Sequence, residues 1–342
     1  MNRRQFLTFG TVGGAAVWSG CAGRVPVPRL GRIMTVRGAL APDQMGWTLA
    51  HEHAMVHFAP VAEAATQRYD RAEIVDTVLP YLLEVKELGV QTVVDATPAY
   101  LGRDPLVLRA LSERSGMHML TNTGYYGARS DEHVPEHAYT DTVDELAGRW
   151  ISEWRDGIEG TGIRPGFVKI GVDAGSLSEI DGKLVEAGAL THLATGLTIA
   201  VHTGPAGPAF EQIDLLEELG VHPSAWIWVH AQAEEDLSAH VEAARRGAWV
   251  EFDGVSESSV ERDVERVVNM HRHGVIDRVL LSQDAGWYSV GEEGGGSFRG
   301  YTSMLTHLVP ALRSAGLEEA DVEQLLHANP ADAFRIRVRR LS

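Results

Sequence analysis

Short apolar runs recur along the chain from Gly31 onward, and the stretches between them mix apolar and polar residues at helical spacing. The runs cover 48–51, 92–96, 119–123, 167–171, 198–202, 225–230, 249–253 and 279–282. Several are apolar almost throughout, the pattern of strands covered on both faces. The segments 74–88, 141–154, 211–219 and 234–246 have mixed faces and predict helices. Eight strands, each followed by a helix, predict an α/β fold: a single closed (β/α)8 TIM barrel rather than an open doubly wound sheet. No Gly-x-Gly-x-x-Gly follows the first run, which counts against a dinucleotide-binding sheet. The Gly-rich stretch 291–297 is a predicted loop.

Of the 342 residues, 44% are hydrophobic and 23% charged, a balance that supports one large core and one catalytic domain over 32–342. Asp and Glu together number 47 against 30 Lys and Arg, a net charge of −17. Such a surface repels phosphate backbones and anionic lipid, so nucleic acid is excluded as a partner. A single cysteine, Cys21, rules out an intramolecular disulfide. Lysine is scarce: Lys86, Lys169 and Lys183 stand among 27 arginines.

Residues 1–21 do not share the alternation. Arg3 and Arg4 precede an apolar stretch shorter than the roughly 20 residues of a membrane-spanning helix, and resemble a twin-arginine export signal. Trp18-Ser19-Gly20-Cys21 resembles a lipoprotein processing site with Cys21 bearing the lipid. Residues 22–31 read as a tether. Export to the periplasm or the outer face of the membrane is expected, with lipid on Cys21 as the one membrane contact.

Four of the fifteen histidines close apolar strands, where a barrel places its chemistry: His51, His53, His202 and His230. His51-Glu52-His53 sends both imidazoles to one side of a strand and Glu52 to the other. Each histidine alone also fits a satisfied core position; four at strand ends together point to metal. Lys169 lies in Gly166-Phe167-Val168-Lys169-Ile170-Gly171, where an unpaired ammonium is costly. Desolvation lowers a lysine's pKa, and a free amine can take up carbon dioxide to give a carbamate able to bridge two metals. The alternative is a lysine paired with a buried acid or reaching the rim. Asp284 ends the eighth strand, where an acid either binds a metal and takes a proton from its water or caps a helix.

The ordered set His51-x-His53, Lys169, His202, His230 and Asp284 resembles the phosphotriesterase family of the amidohydrolase superfamily. Leu101-Gly102-Arg103-Asp104-Pro105, Thr123-Gly124-Tyr125-Tyr126 and Asn329-Pro330-Ala331 support the likeness, which spans about residues 32–336. Asp104-Pro105 and Asn329-Pro330 also suit an N-cap followed by a first-turn proline. The resemblance implies two divalent ions, zinc foremost, with manganese, cobalt or iron compatible by ligand type. His51, His53 and Asp284 would hold the more buried ion, and His202 and His230 the outer one. Lys169, as N6-carboxylysine, would bridge them together with a hydroxide, and Asp284 would accept the proton. Tyr126 matches a tyrosine of lactone-hydrolysing relatives and is expected to serve both catalysis and substrate binding. Trp287 and Tyr288 are further expected substrate contacts, opening a loop to Arg299 that is either a mobile lid or a plain surface loop.

Two positions depart from the relatives' pattern. Gly254 follows Asp253 where lactonases tend to place arginine and triesterases histidine, and Ala231-Gln232-Ala233-Glu234 replaces the acids usual after His230. The expected activity is hydrolysis of a small-molecule lactone or carboxylic ester, with organophosphate triester hydrolysis as the alternative. A metal-dependent nuclease conflicts with the net charge, and a non-catalytic surface lipoprotein conflicts with the intact ligand set. A homodimer is left open.

Overall fold

The structure is a computed structural model and describes residues 31–64 and 68–342. The export-signal segment 1–21, the lipid position Cys21 and all but the last residue of the 22–31 tether lie outside the described residues. An antiparallel hairpin comes first, β1 (Ile33–Thr35) with β2 (Gly38–Leu40). The strands that follow are β3 (Trp47–Val56), β4 (Val90–Asp95), β5 (His118–Leu120), β6 (Asn122–Thr123) and β7 (Phe167–Gly171). Then come β8 (Thr198–His202), β9 (Trp226–Val229), β10 (Trp249–Phe252), β11 (Val279–Leu281) and β12 (Gly286–Ser289).

From β6 to β11 each strand pairs in parallel with the next, and β3, β4 and β5 do the same. β5 and β6 are one stretch of chain interrupted at Thr121, so the two ladders share the third barrel strand. At the other seam a side chain joins β11 to β3. Ser282 Oγ accepts the His51 N–H at 2.9 Å, and the Asp284 N–H donates to the His51 carbonyl at 3.2 Å. The expected α/β barrel is thereby present, with β12 added in parallel beside β3.

Helices follow the strands, with bounds set by caps. The segment expected at 141–154 begins at Val143, because Thr142 and Glu145 form a reciprocal capping box. That expected at 211–219 begins at Ala206. Pro205 and Pro208 fall at the cap and in the first turn, where a missing N–H costs nothing. Asp104 caps Pro105–Ser115 as expected. Asn329 does not act as a cap; its amide donates to the Ile276 and Val279 carbonyls and ties the C-terminal helices to the start of β11. No helix among the described residues is long and apolar enough to cross a membrane.

Inside the barrel, Ala50, Val94, Leu120, Phe167, Ala200, Ile227, Trp249 and Leu280 form one buried cluster, packed on Ile33 and Phe334. Burial of each large member contributes about 1.5–3 kcal/mol. Side chains on a strand alternate, so two residues further on the same inward faces carry Lys169 beyond Phe167, His202 beyond Ala200 and Glu251 beyond Trp249. An apolar floor therefore gives way to a polar layer at the carboxyl ends of the strands.

Candidate metal centre

A cleft of about 60 Å³ at those ends brings together His51, His53, Lys169, His202, His230 and Asp284, with Tyr126, Phe58 and Trp287 in its wall. Three of these residues have left-handed backbones: His230 at φ 61°, Asp284 at φ 48° and Trp287 at φ 76°. Such a conformation costs about 1–3 kcal/mol for a non-glycine residue and persists only where neighbours impose it. Asp253 receives both the backbone N–H of His230 (3.1 Å) and its Nδ1 (2.7 Å). The Asp284 carbonyl receives the Trp287 indole (2.7 Å) and the Arg299 guanidinium (3.1 Å).

Neighbours also fix the tautomers of three imidazoles. Thr97 donates its hydroxyl proton to the Met55 carbonyl (3.0 Å), so it can only accept from His53 Nδ1 (2.7 Å). Glu251 lies 3.0 Å and Asp253 3.3 Å from His51 Nδ1, and Asp253 also meets His230 Nδ1. Each Nδ1 therefore carries the proton, and each Nε2 keeps its lone pair. His53 Nε2 then faces Asp284 Oδ1 at 3.0 Å, and this buried oxygen has no hydrogen bond. A lone pair against a carboxylate oxygen is repulsive unless a cation lies between them. His51 Nε2 is 3.8 Å from the same oxygen. The donors of His51, His53 and Asp284 thus fit a divalent ion.

A second compact triad, His51, His230 and Asp253, involves the protonated nitrogens. Asp253 is therefore an orienting carboxylate rather than a ligand. His202 lies beside His230, with ring centroids 4.3 Å apart, and its Nδ1 is 3.2 Å from the Tyr126 hydroxyl. Burial first, then the positive groups around them, hold His51 and His202 well below the usual imidazole range, which leaves both neutral and able to bind metal. Burial also pushes Lys169 down to about 8, opposed by Glu251, Asp253 and Asp284. No carboxylate among the described residues comes within 4.0 Å of its ammonium, so the expected alternative of a tight ion pair is absent. Burial works to raise the Asp284 carboxyl, and positive charge placed beside it in the cleft lowers it.

The two expected aromatic contacts diverge. Trp287 stacks over His53 (4.6 Å between centroids) and against Phe58 (5.5 Å), roofing the cleft. Tyr288 points away from the cleft and donates to Glu73 at 2.9 Å, which corrects its expected role in substrate binding. Both lie on β12, and the period of two sends neighbours to opposite faces. The loop beyond is pinned rather than loose: Gly286 and Arg299 exchange backbone hydrogen bonds of 2.9 Å, and Phe298 stacks on Tyr81.

The departures at 232 and 254 are linked. Gln232 donates to Asp253 Oδ1 at 2.7 Å and accepts the Asp253 N–H at 3.1 Å. A Cβ at position 254 would stand 2.8 Å from the Gln232 amide nitrogen, so Gly254 admits that amide. Sequence reasoning missed Thr97, Phe58 and Glu251. Only Glu251 left a signal, as an acid in phase with Asp253 within an apolar strand.

Glu52 faces away from the cleft, as expected, and clamps the chain around Asp284. It accepts from Ser282 Oγ (2.7 Å), Gln283 N (3.2 Å) and Ala285 N (2.7 Å), while burial pushes its carboxyl up to about 8. Glu52→Gln sets an amide N–H against one of these donors and is expected to cost about 1–3 kcal/mol. Urea denaturation checks this, and an unshifted midpoint would remove the clamp.

A larger cavity of about 810 Å³ opens beside Tyr125, the sequence neighbour of Tyr126. Three pairs of its polar groups bond to one another, Arg103 to Glu153 (2.7 Å), Arg149 to Asp141 (2.6 Å) and Tyr125 to His137 (3.0 Å).

A model of the phosphotriesterase family matches residues 31–334. The phosphotriesterase homology protein of Escherichia coli strain K12 is 31% identical over 297 residues, covering 86% of this chain and 99% of that protein. N-acetyltaurine hydrolase of Rattus norvegicus is 27% identical over 344 residues, covering 88% and 97% respectively. Among solved structures, organophosphorus hydrolase from Deinococcus radiodurans superposes with a TM-score of 0.79 at 29% identity, covering 90% of this chain and 99% of that one. The match takes in every barrel strand and every ligand-bearing strand end: the chain belongs to the phosphotriesterase family of metal-dependent hydrolases.

Proposed function

We propose that the chain hydrolyses a lactone or carboxylic ester with a compact acyl group. The observation that carries this reading is the convergence of the Nε2 lone pairs of His51 and His53 on the unpartnered Asp284 Oδ1, in one cleft with Lys169. Two divalent ions bound there would generate a nucleophile from water at neutral pH and polarise the electrophile. His51, His53 and Asp284 would hold the inner ion, and His202 and His230 the outer. Lys169, buried and with no carboxylate among the described residues within 4.0 Å, would react with carbon dioxide, losing one proton to become an N6-carboxylysine that could serve both ions. Asp284 would accept the proton of the attacking water, and the Tyr126 hydroxyl, beside His202, would hold a substrate oxygen at the outer side. The ligand types suit zinc first, then manganese, cobalt or iron. Arg3-Arg4 supports export to the periplasm or the outer face of the membrane, and Cys21 would carry the lipid if the chain is anchored there.

Size separates the substrate classes. The cleft holds about 60 Å³ beneath the Phe58–Trp287 stack, against the roughly 300–1,000 Å³ of sites that enclose drug-sized ligands. A compact acyl group fits this space better than a phosphotriester with bulky arms. Likeness to a protein named for N-acetyltaurine hydrolysis agrees with a small acyl group, and likeness to an organophosphorus hydrolase keeps triesters as the second reading. A panel of lactones, aryl esters and aryl dialkyl phosphates ranked by kcat/KM tests the proposal, and triesters leading by about 100-fold would reverse it. Phe58→Ala should raise kcat/KM for bulky aryl esters by about tenfold while leaving an acetyl ester within about twofold. Equal changes for both would show that Phe58 is no size filter.

A further inference from the structure

We infer that Glu251 is a positioning residue for the inner metal position, holding His51 by its Nδ1 as Asp253 holds His230. This rests on the metal-centre reading above. Glu251 sits on the inward face of β10 between Trp249 and Asp253 and is 1% exposed. A buried carboxyl ordinarily has a cation or several donors about it. No arginine or lysine among the described residues comes within 4.0 Å of Glu251, and its Oε1 has no hydrogen-bond partner. Its close polar contacts are Oε2 to His51 Nδ1 at 3.0 Å and the neighbouring Asp253 carboxyl, and burial first, then Asp253, push its own carboxyl well above the usual range. A residue serving stability alone would be apolar there, like Trp249 in the layer beneath.

Asp253 cannot replace Glu251 at His51. Its oxygens already receive the His230 N–H (3.1 Å), His230 Nδ1 (2.7 Å) and the Gln232 amide (2.7 Å), and it stands further from His51 Nδ1, at 3.3 Å. Glu251 is the shorter contact, at 3.0 Å against 3.3 Å. A carboxylate on Nδ1 keeps the proton there, locks the ring so that Nε2 faces Asp284, and makes Nε2 a stronger ligand. Among the described residues His53 has the Thr97 hydroxyl in this role, so the carboxyl support at the inner position falls on His51.

Two variants separate positioning from structure. Glu251→Gln keeps an acceptor oxygen without the charge, and Glu251→Leu removes both. Chelator competition with Zn²⁺ should show the inner site weakened about tenfold by Gln and about a hundredfold by Leu. The urea midpoint of the metal-free protein should stay level or rise in both, because a buried, half-satisfied carboxyl has gone. A structural role predicts the reverse, a lower metal-free midpoint with unchanged Zn²⁺ affinity, and that result overturns the inference. Wild-type protein that binds no Zn²⁺ would overturn the metal centre itself. Wild type with two ions, matched by both variants, would overturn the role of Glu251 alone.

Discussion

Lys169→Ala is expected to lower kcat/KM by about 10³-fold or more, some 4 kcal/mol of transition-state stabilisation, and to release at least the outer ion. In the proposed site the outer ion would have two imidazoles of its own, His202 and His230, and every further protein ligand would come from a bridging group. Lys169 is the residue that would supply one, buried in the cleft with no acid among the described residues within 4.0 Å. Metal analysis should find close to two ions per wild-type chain and about one in the variant. Truncation opens a channel the length of a lysine side chain, so acetate or propionate should restore part of the activity. Lys169→Glu, which returns a carboxylate without the need for carbon dioxide, should keep more metal than Lys169→Ala. Growth on ¹³C-labelled bicarbonate should give wild-type protein a carbamate resonance that the variant lacks. Full activity and two ions in Lys169→Ala would end the carbamate proposal.

The residues that line the cleft were legible because a barrel ties chemistry to one place in each repeat. His51, His53, Lys169, His202 and His230 lie at or near the ends of strands whose apolar pattern marks them, and that location needs no knowledge of contacts. Tyr288 was misplaced for a related reason. β12 is short and half-exposed, with no apolar run, so the alternation that separates Trp287 from Tyr288 could not be applied. Thr97 and Phe58 follow strands β4 and β3 as ordinary loop residues, and only the folded chain brings them onto His53 and Trp287. The pairing of Gly254 with Gln232 is an amide meeting a carboxylate across two loops, a relation that carries no signature along the chain. Glu251 was visible yet unremarked, because an acid in an apolar strand draws attention only once its face is known.

Asp284→Asn should lower kcat by about 10²–10⁴-fold while leaving the barrel intact, because it removes charge and basicity without disturbing shape. Position 284 has φ 48°, and asparagine tolerates the left-handed region well, so the backbone conformation survives. In the metal-free protein the new amide N–H can donate to His53 Nε2, which in the wild type faces the carboxylate oxygen at 3.0 Å. The metal-free variant should therefore unfold at higher urea than metal-free wild type, even as its metal affinity falls. Opposed changes of that kind distinguish a ligand from a residue that merely supports the fold. Combining the variant with Lys169→Ala sharpens the point. Residues that act through one pair of ions are non-additive, so the double variant should be only slightly worse than Lys169→Ala alone. Losses that multiplied to about 10⁵-fold or beyond would mean that Asp284 and Lys169 act independently, and a single shared centre could not account for them.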